Sequence, residues 1–351
     1  MTKHVFSILI TVCVSFSNIS TATSAHANET TSYNHTICIF SVIICMNDQL
    51  GQEESQKHTN EKFIYSITDQ VNSTKLIYWI DNLSSFHTRH TKSEYIENSA
   101  YWLKNELQSV SKGGVYFHNF TQTDGGTSYN LKNIICNQQG STADDSNHLI
   151  LISAHYDSRM QDINQTNARA PGADDNASGV AGVLELARVL SKVDLKSNIQ
   201  FVLFSGEEQG QWGSRNYAKH LHDNNIKIDL LINLDMIGYP PQGSNKIAIE
   251  YDLGNRVLVN DRYSYVVAEF IKHVALESTN LEAVLDTVGK SDYTPFEGFG
   301  YIVIGIHDGG SEQNPNYHSS SDTPNTLDIQ YLSSTTKLVL ATILKLDEFS
   351  Q

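Results

Sequence analysis

Short runs of apolar residues recur along the second half of the chain. The clearest runs lie at residues 148–153, 199–204, 230–234 and 301–306. Each is five or six residues of mostly Leu, Ile, Val and Phe, with little alternation of apolar and polar positions. This pattern is typical of strands that are covered on both faces of a sheet.

Segments with a helical period lie between and around these runs. Residues 177–190 place their apolar side chains on one helical face, and residues 257–274 and 327–349 are predicted as helices too. Alternation of strands and helices predicts an α/β fold with a mainly parallel sheet that has helices on both sides. Upstream, we predict a helix at 94–110 and a pair of strands at 115–120 and 130–136, joined by a turn at Gly125-Gly126.

The N-terminus has the features of an export signal. Lys3 provides a positive start, residues 5–16 are mostly apolar, and Ala25-His26-Ala27 resembles a cleavage site. The apolar stretch is shorter than the ~20 residues that a transmembrane helix needs. We therefore expect a signal peptide at 1–27, a polar extension or pro-segment at 28–60, one catalytic domain at 61–351, and a secreted or periplasmic protein.

Composition and charge exclude several classes of protein. Of the 351 residues, 40% are hydrophobic, which is enough for a core and argues against disorder. With 24 basic and 39 acidic residues the formal charge is −15, which argues against binding to nucleic acid or to an anionic membrane. We expect a monomer. An oxidising compartment would permit a disulfide between Cys38 and Cys45, whereas Cys136 lies in an apolar run and is predicted to be a buried strand residue.

Acidic residues and histidines cluster where the predicted strands end. Ligands of open α/β sheets bind beyond the carboxyl ends of the strands, so residues from separate segments should meet there. The candidates are His155 and Asp157 after the first buried strand, Glu207 and Glu208 after the second, Asp235 after the third, His318 after the fourth, and Asp174 in the turn before the helix at 177–190.

These side chains suit a pair of divalent cations. Two ions contribute a charge of +4, and Asp174, Glu208 and Asp235 contribute −3, which leaves +1 for a hydroxide to cancel. Zinc fits mixed imidazole and carboxylate ligands with no thiolate nearby. A water on zinc has a pKa near ~7, and a second carboxylate such as Glu207 could accept its proton.

Five segments together resemble the co-catalytic dizinc exopeptidases of metallopeptidase family twenty-eight. They read SAHYDS, PGADDNASGVAGVLELARVL, FSGEEQGQWGSRNYA, LINLDMIG and YHSSSDTPNTLD, and NLSSFHTRHT is similar to a segment before that family's first helix. The resemblance extends from about Asn82 to Phe349 and is closest to the bacterial leucyl-aminopeptidase type. It implies the zinc-exopeptidase fold, a three-layer α/β/α sandwich with a mixed, mainly parallel sheet.

The resemblance also implies residue roles. His155 and Asp235 would bind one zinc ion, Glu208 and His318 the other, and Asp174 would bridge them. A hydroxide between the metals would attack the peptide carbonyl, with Glu207 as general base, and Asp157 would orient the imidazole of His155. A cis peptide bond is implied between Asp174 and Asp175.

Some roles remain open at this point. The segment around Ser291-Asp292-Tyr293 is similar to one that polarises the substrate carbonyl in relatives, and Tyr293 and Lys290 are both candidates. Peptides and protein N-termini are the expected substrates. The alternatives are a glutaminyl-peptide cyclase, which shares the fold but uses one zinc ion, and a carboxypeptidase, for which Lys290 and Arg215 are candidate carboxylate-binding residues.

Overall fold

Eight strands form one mixed sheet in the part of the chain that the computed structural model describes, residues 54–141, 149–241, 243–254, 257–310 and 314–348. The strands are β1 (Gly114–Asp124), β2 (Thr127–Gln138), β3 (Leu149–His155), β4 (Asn198–Phe204), β5 (Leu230–Leu234), β6 (Lys246–Tyr251), β7 (Glu282–Thr287) and β8 (Val303–His307).

The order of the strands is β1-β2-β4-β3-β5-β8-β6-β7. The central strands β4, β3, β5 and β8 run parallel to one another. The hairpin β1–β2 joins β4 antiparallel, and β6 joins β8 antiparallel. Four parallel strands therefore direct their carboxyl ends to one edge of the sheet, where ligands bind in open α/β folds.

Helices cover both faces of the sheet. They are α1 (Glu54–Thr68), α2 (Ser73–Ser85), α3 (Tyr95–Val110), α4 (Gly179–Leu190), α5 (Trp212–Asp223), α6 (Asp261–Ser278), α7 (Thr294–Glu297) and α8 (Ile329–Glu348). Neighbouring residues of β3 show the two layers, since Ile150 and Ile152 belong to one apolar cluster and Leu151 to the other. The predicted three-layer α/β/α architecture is confirmed.

Helix α4 packs in the larger of these two apolar clusters. Eleven of its twelve residues are buried, including Val183, Leu184 and Leu186. Truncating such a leucine to alanine typically costs ~2–5 kcal/mol, because it leaves a cavity in a close-packed interior. This helix follows the turn Ala173–Ser178 directly, so its packing also fixes the position of the turn at the edge of the sheet.

Most predicted elements agree with the structure to within a few residues. The strand at 148–153 is Leu149–His155, and the helix at 257–274 is Asp261–Ser278. Cys136 is completely buried in β2, as expected. The cis peptide bond joins Asp175 to Asn176, so the prediction of a cis bond between Asp174 and Asp175 is wrong by one residue.

Several predictions concern residues outside this part of the chain. The proposed signal at 1–27 and the pair Cys38 and Cys45 lie outside the described residues. Helix α1 spans residue 60, where the predicted extension ends. Within the described residues, no helix combines the length and apolar character needed to cross a bilayer.

Candidate metal centre

The carboxyl ends of the four central strands bring the predicted ligands together. His155 is the last residue of β3, and Asp235 follows directly after β5. Glu207 and Glu208 lie in the turn after β4, and His318 lies in the loop that follows β8. Topology therefore places side chains that are far apart in sequence at one edge of the sheet, as the pattern of strand ends predicts.

Asp175 lies at the centre of this group. Its Oδ1 is 3.3 Å from Nε2 of His155, and its Oδ2 is 2.9 Å from Nε2 of His318. Asp235 Oδ1 lies 3.3 Å from the same nitrogen of His155, and Glu208 Oε1 lies 3.0 Å from that of His318. The result is two groups of three ligand atoms, each within 4.8 Å of one another, that share one carboxylate: His155, Asp175 and Asp235, and Asp175, Glu208 and His318.

Asp174 is not part of either group, and its predicted bridging position is wrong in this structure. Its Oδ1 accepts a hydrogen bond from the backbone N–H of Gly238 at 3.0 Å, and its Oδ2 accepts one from the Asn314 side chain at 2.7 Å. The backbone of the turn is not helical at Asp175 and Asn176. Consecutive side chains therefore leave the turn in different directions, and the second aspartate points between the histidines.

Electrostatics couple the histidines to the carboxylates. Burial alone would lower the pKa of His318, but its hydrogen bonds with Asp175 and Glu208 raise it to about 9. Burial opposes ionisation of Asp175 as well, and the bonds with His155 and His318 nevertheless lower the pKa of its carboxyl. In this arrangement the protonated imidazoles provide the positive charge that the buried carboxylates need.

This donor set fits a pair of zinc ions. Imidazole nitrogen and carboxylate oxygen are both accepted zinc ligands, and each group contains them without a thiolate. Asp175, Glu208 and His318 are buried, and Asp235 keeps 23% of its side chain exposed. Buried carboxylates at this density require positive charge, which a divalent ion supplies when the imidazoles lose their protons.

Comparison with known families agrees with this site. Residues 133–343 match the model of Peptidase family M28, over a span that contains all of these ligands. The chain belongs to peptidase family M28. The resemblance seen in the sequence is thereby confirmed.

Curated relatives of this M28 chain include proteins of two names. A probable zinc metalloprotease of Pyrenophora teres f. teres is 32% identical over 49% of this chain and 38% of its own length. Leucine aminopeptidase 1 of Trichophyton equinum is 27% identical over 76% of this chain and 72% of its own length. The chain spans less than half the length of the first curated relatives that it matches.

Solved structures show the same fold. The LapA aminopeptidase of Legionella pneumophila has a TM-score of 0.67 at 21% identity, covering 82% of this chain and 75% of its own. A glutaminyl cyclase of Bacteroides thetaiotaomicron has a TM-score of 0.64 at 19% identity, covering 78% of this chain and 98% of its own. The fold is therefore shared by an aminopeptidase and a glutaminyl cyclase. Only the residues of the site can distinguish between these two activities.

Asp157 positions the turn that carries the two glutamates. Its Oδ1 accepts hydrogen bonds from the backbone N–H groups of Gly206 and Glu207. Its Oδ2 accepts hydrogen bonds from the backbone N–H of Glu208 and from the hydroxyl of Thr91. His155 Nδ1 lies 3.6 Å from the carboxylate of Asp157 and 3.2 Å from its backbone oxygen. Asp157 thus contacts His155, as predicted for an orienting residue, and holds the Glu207-Glu208 turn as well.

Glu207 is partly exposed beside the metal ligands. Burial raises the pKa of its carboxyl well above the ordinary value, and the nearby charges of Asp292, Glu208 and Asp235 add to this, although His155 opposes it. Asp292 is completely buried, and burial raises its pKa to about 7. The two carboxyls are therefore close enough to influence each other's protonation.

The segment that includes Asp292 and Tyr293 contacts the site through a residue that sequence reasoning passed over. Ser291 Oγ donates a hydrogen bond to Asp235 Oδ2 at 2.5 Å and accepts one from the Asn233 side chain at 2.9 Å. Tyr293 is only 2% exposed, and its hydroxyl accepts the backbone N–H of Gly289 at 2.9 Å. Tyr293 is therefore part of the interior packing, and Ser291 is the residue of this segment that contacts a ligand.

Two further residues at the site were missed. The ring of Tyr317 stacks on that of His318 with 3.6 Å between centroids, and the residue is partly exposed. Burial and the charges of Asp175, Glu208 and Asp235 raise the pKa of its phenol. Arg159 Nε donates to Glu208 Oε2 at 2.7 Å. The available sequence signals were the position of Tyr317 next to a ligand histidine and that of Arg159 two residues after Asp157.

Proposed function

We propose that this chain is a zinc-dependent aminopeptidase that binds two zinc ions and releases N-terminal residues from peptides. The single observation that carries the proposal is the position of Asp175, whose two oxygens face His155 and His318 separately. One shared carboxylate completes two groups of ligands, which favours a two-metal hydrolase over a cyclase that uses one zinc ion.

The metal ions would be held by this chain's own residues in two sets. His155 and Asp235 would hold one ion, Glu208 and His318 the other, and Asp175 both. When bound, such ions polarise a carbonyl and lower the pKa of water towards ~7.

Glu207 would move the protons of the reaction. It lies in the same turn as the ligand Glu208 but contributes to neither ligand group, so its carboxylate is available to substrate. A raised pKa suits a group that takes a proton from the attacking water and then delivers it to the leaving amine. Asp157 would keep this carboxylate in place through the backbone of the turn.

Tyr317 would stabilise the developing charge on the substrate oxygen. Burial and the nearby charges of Asp175, Glu208 and Asp235 raise the pKa of its phenol, so it stays protonated and can donate. A neutral donor aimed at the place where negative charge develops is the usual source of such stabilisation. Tyr293 is unsuited to this role because its hydroxyl is buried against Gly289.

The charges around the site support cleavage from the N-terminus. Glu207, Glu208, Asp175 and Asp235 make the site acidic, which favours the approach of a free α-amine over that of a carboxylate. A carboxypeptidase needs a cation that can bind a carboxylate, and Arg159 is committed elsewhere: its Nε donates to Glu208, and its Nη1 donates to the backbone oxygens of Met160 and Gln161. The chemistry therefore favours the N-terminus of a peptide.

A comparison of blocked peptides tests the proposal. A free peptide, its N-acetyl form and its C-terminal amide are incubated with the zinc-loaded protein, with a chelator-treated sample as control. We expect cleavage of the free peptide and the amide and none of the acetylated form. The reverse preference would indicate a carboxypeptidase. Conversion of an N-terminal glutamine to pyroglutamate without hydrolysis would indicate a cyclase.

We also propose that the protein is exported and acts as a monomer on peptides. Support for export comes from the N-terminal sequence, with its apolar stretch at 5–16 and the Ala25-His26-Ala27 site. Sequencing the N-terminus of the protein recovered from outside the cytoplasm would test cleavage after residue 27. Light scattering of the same sample gives its mass.

A further inference from the structure

Each ligand group has one carboxylate that the other group lacks, Asp235 in one and Glu208 in the other. The two groups differ in the hydrogen-bond donor to the oxygen of that carboxylate that does not face the histidine. On one side, Asp235 Oδ2 accepts a hydrogen bond from the neutral hydroxyl of Ser291 at 2.5 Å. On the other, Glu208 Oε2 accepts one from the cationic guanidinium of Arg159 at 2.7 Å. The side chain of Glu208 is 4% exposed and that of Arg159 is 19% exposed. The shared ligand Asp175 contributes one oxygen to each group, so the difference lies in the unshared carboxylates.

Arg159 is held in this position by its own segment. Its Nη1 donates to the backbone oxygens of Met160 and Gln161, at 3.1 and 3.3 Å. The backbone N–H of Gln161 in turn donates to the backbone oxygen of His318 at 2.7 Å. The guanidinium is therefore tied to the segment that carries the histidine of the same ligand group.

We propose that Arg159 is a positioning residue that makes the two metal sites unequal, the weaker being the one formed by Asp175, Glu208 and His318. This inference rests on the proposed two-metal function. Arg159 fixes Glu208 so that Oε1 faces His318 and Oε2 faces the guanidinium, which leaves one oxygen for a metal ion. The fixed positive charge also shares the carboxylate's negative charge and repels a second cation that binds the same group.

Zinc titration of the metal-free protein against a competing chromogenic chelator tests the inference without an activity assay. We expect two ions to bind with dissociation constants that differ by at least about tenfold, the size of effect that partners of metal ligands typically have. His318→Ala should keep one ion at the tighter affinity. His155→Ala should keep one ion at the weaker affinity.

Variants of Arg159 identify the cause. Arg159→Gln removes the positive charge that repels the metal ion, so the weaker site should tighten about tenfold. Arg159→Lys keeps the charge and should preserve the inequality. Arg215→Gln is the matched control, because it removes the same charge from an exposed arginine whose side chain bonds to Gln211. It should leave both affinities unchanged. Circular dichroism and the Tm of each variant confirm that it is folded.

The outcomes separate this inference from the proposed function. Two ions of equal affinity in the natural protein, or an Arg159→Gln protein whose weaker site is unchanged or weaker still, would overturn the role of Arg159 alone. Failure to bind a second ion in any form of the protein would overturn the two-metal function together with it.

Discussion

Asp174 and Asp175 are consecutive in the chain, and their carboxylates lie in different environments. Asp175 contacts the Nε2 atoms of both His155 and His318, whereas Asp174 accepts hydrogen bonds from Gly238 and Asn314. Burial first, and the nearby charge of Asp322 second, raise the pKa of Asp174 to about 8. The two histidines thus favour ionisation of Asp175, whereas burial opposes ionisation of Asp174.

Substitution of the two aspartates by asparagine should therefore have different effects on zinc binding. Asp175→Asn removes the shared ligand, and we expect zinc affinity to fall by more than the ~10–100-fold typical of residues that only support a ligand. Asp174→Asn replaces a carboxyl that belongs to neither ligand group by an amide of the same shape, so it should retain both zinc ions, at a cost in stability within ~1–3 kcal/mol. Zinc content after gel filtration and the free energy of unfolding in urea measure the two effects. Loss of zinc from Asp174→Asn alone would restore the bridging role to Asp174.

Glu207 and Glu208 form a second pair of neighbours with separable roles. Glu207→Gln removes the proton acceptor and keeps the shape, so turnover should fall ~10²–10⁴-fold with zinc content unchanged. Glu208→Gln should instead lower the number of zinc ions bound, because Glu208 Oε1 lies in the ligand group of His318. Steady-state kinetics and metal analysis of both variants are the measurement. A Glu207→Gln protein with undiminished kcat would exclude it as the base.

The sequence predicted the central strands better than the edge of the sheet formed by β6 and β7. Strands β3, β4, β5 and β8 are apolar because helices cover both of their faces, and this produces runs that stand out from their surroundings. Strands β6 and β7 were not predicted. In β7, Glu282, Asp286 and Thr287 are exposed, and in β6 polar and apolar residues mix, so neither gives a clear run.

The site was predictable as far as strand ends determine it. His155, Glu208, Asp235 and His318 come together because their strands are parallel neighbours, which alternation of strands and helices implies. The choice between Asp174 and Asp175 depends on backbone angles in a tight turn, and these leave no trace in a pattern of apolar positions. Arg159 and Tyr317 depend on loop conformation in the same way.

His118 should make the folded protein sensitive to mild acid. Burial and the proximity of His220 lower the pKa of His118 to about 4, and its Nδ1 accepts a hydrogen bond from Asn133 that a protonated ring could not accept. The ordinary pKa of histidine is ~6.5, so the unfolded chain binds a proton between pH 6.5 and 4 that the folded chain does not. Stability should therefore fall as the pH is lowered through this range.

Urea unfolding at several pH values, with a chelator present so that metal release does not contribute, measures this effect. His118→Gln should lose about 1–2 kcal/mol less stability than the natural protein between pH 6.5 and 4, after allowance for a ring that is partly exposed. His222→Gln, at an exposed position, serves as the control. Identical pH profiles for the natural and His118→Gln proteins would exclude this titration.

Tyr317 and Tyr293 provide a matched test of which phenol acts in the reaction. Tyr317 stacks on His318 beside the ligands and is partly exposed, whereas Tyr293 packs in the interior and bonds to the Gly289 backbone. Phenylalanine keeps the ring in both cases and removes only the hydroxyl. Loss of one donor to a developing oxyanion typically costs ~10²–10³-fold in kcat. We therefore expect Tyr317→Phe to lower kcat to this extent with KM and zinc content little changed, because the interaction strengthens only in the transition state.

Tyr293→Phe should lower the free energy of unfolding by ~1 kcal/mol, through the lost bond to Gly289, and leave kcat within a few-fold of its natural value. A large fall in kcat for Tyr293→Phe, with none for Tyr317→Phe, would reverse the assignment.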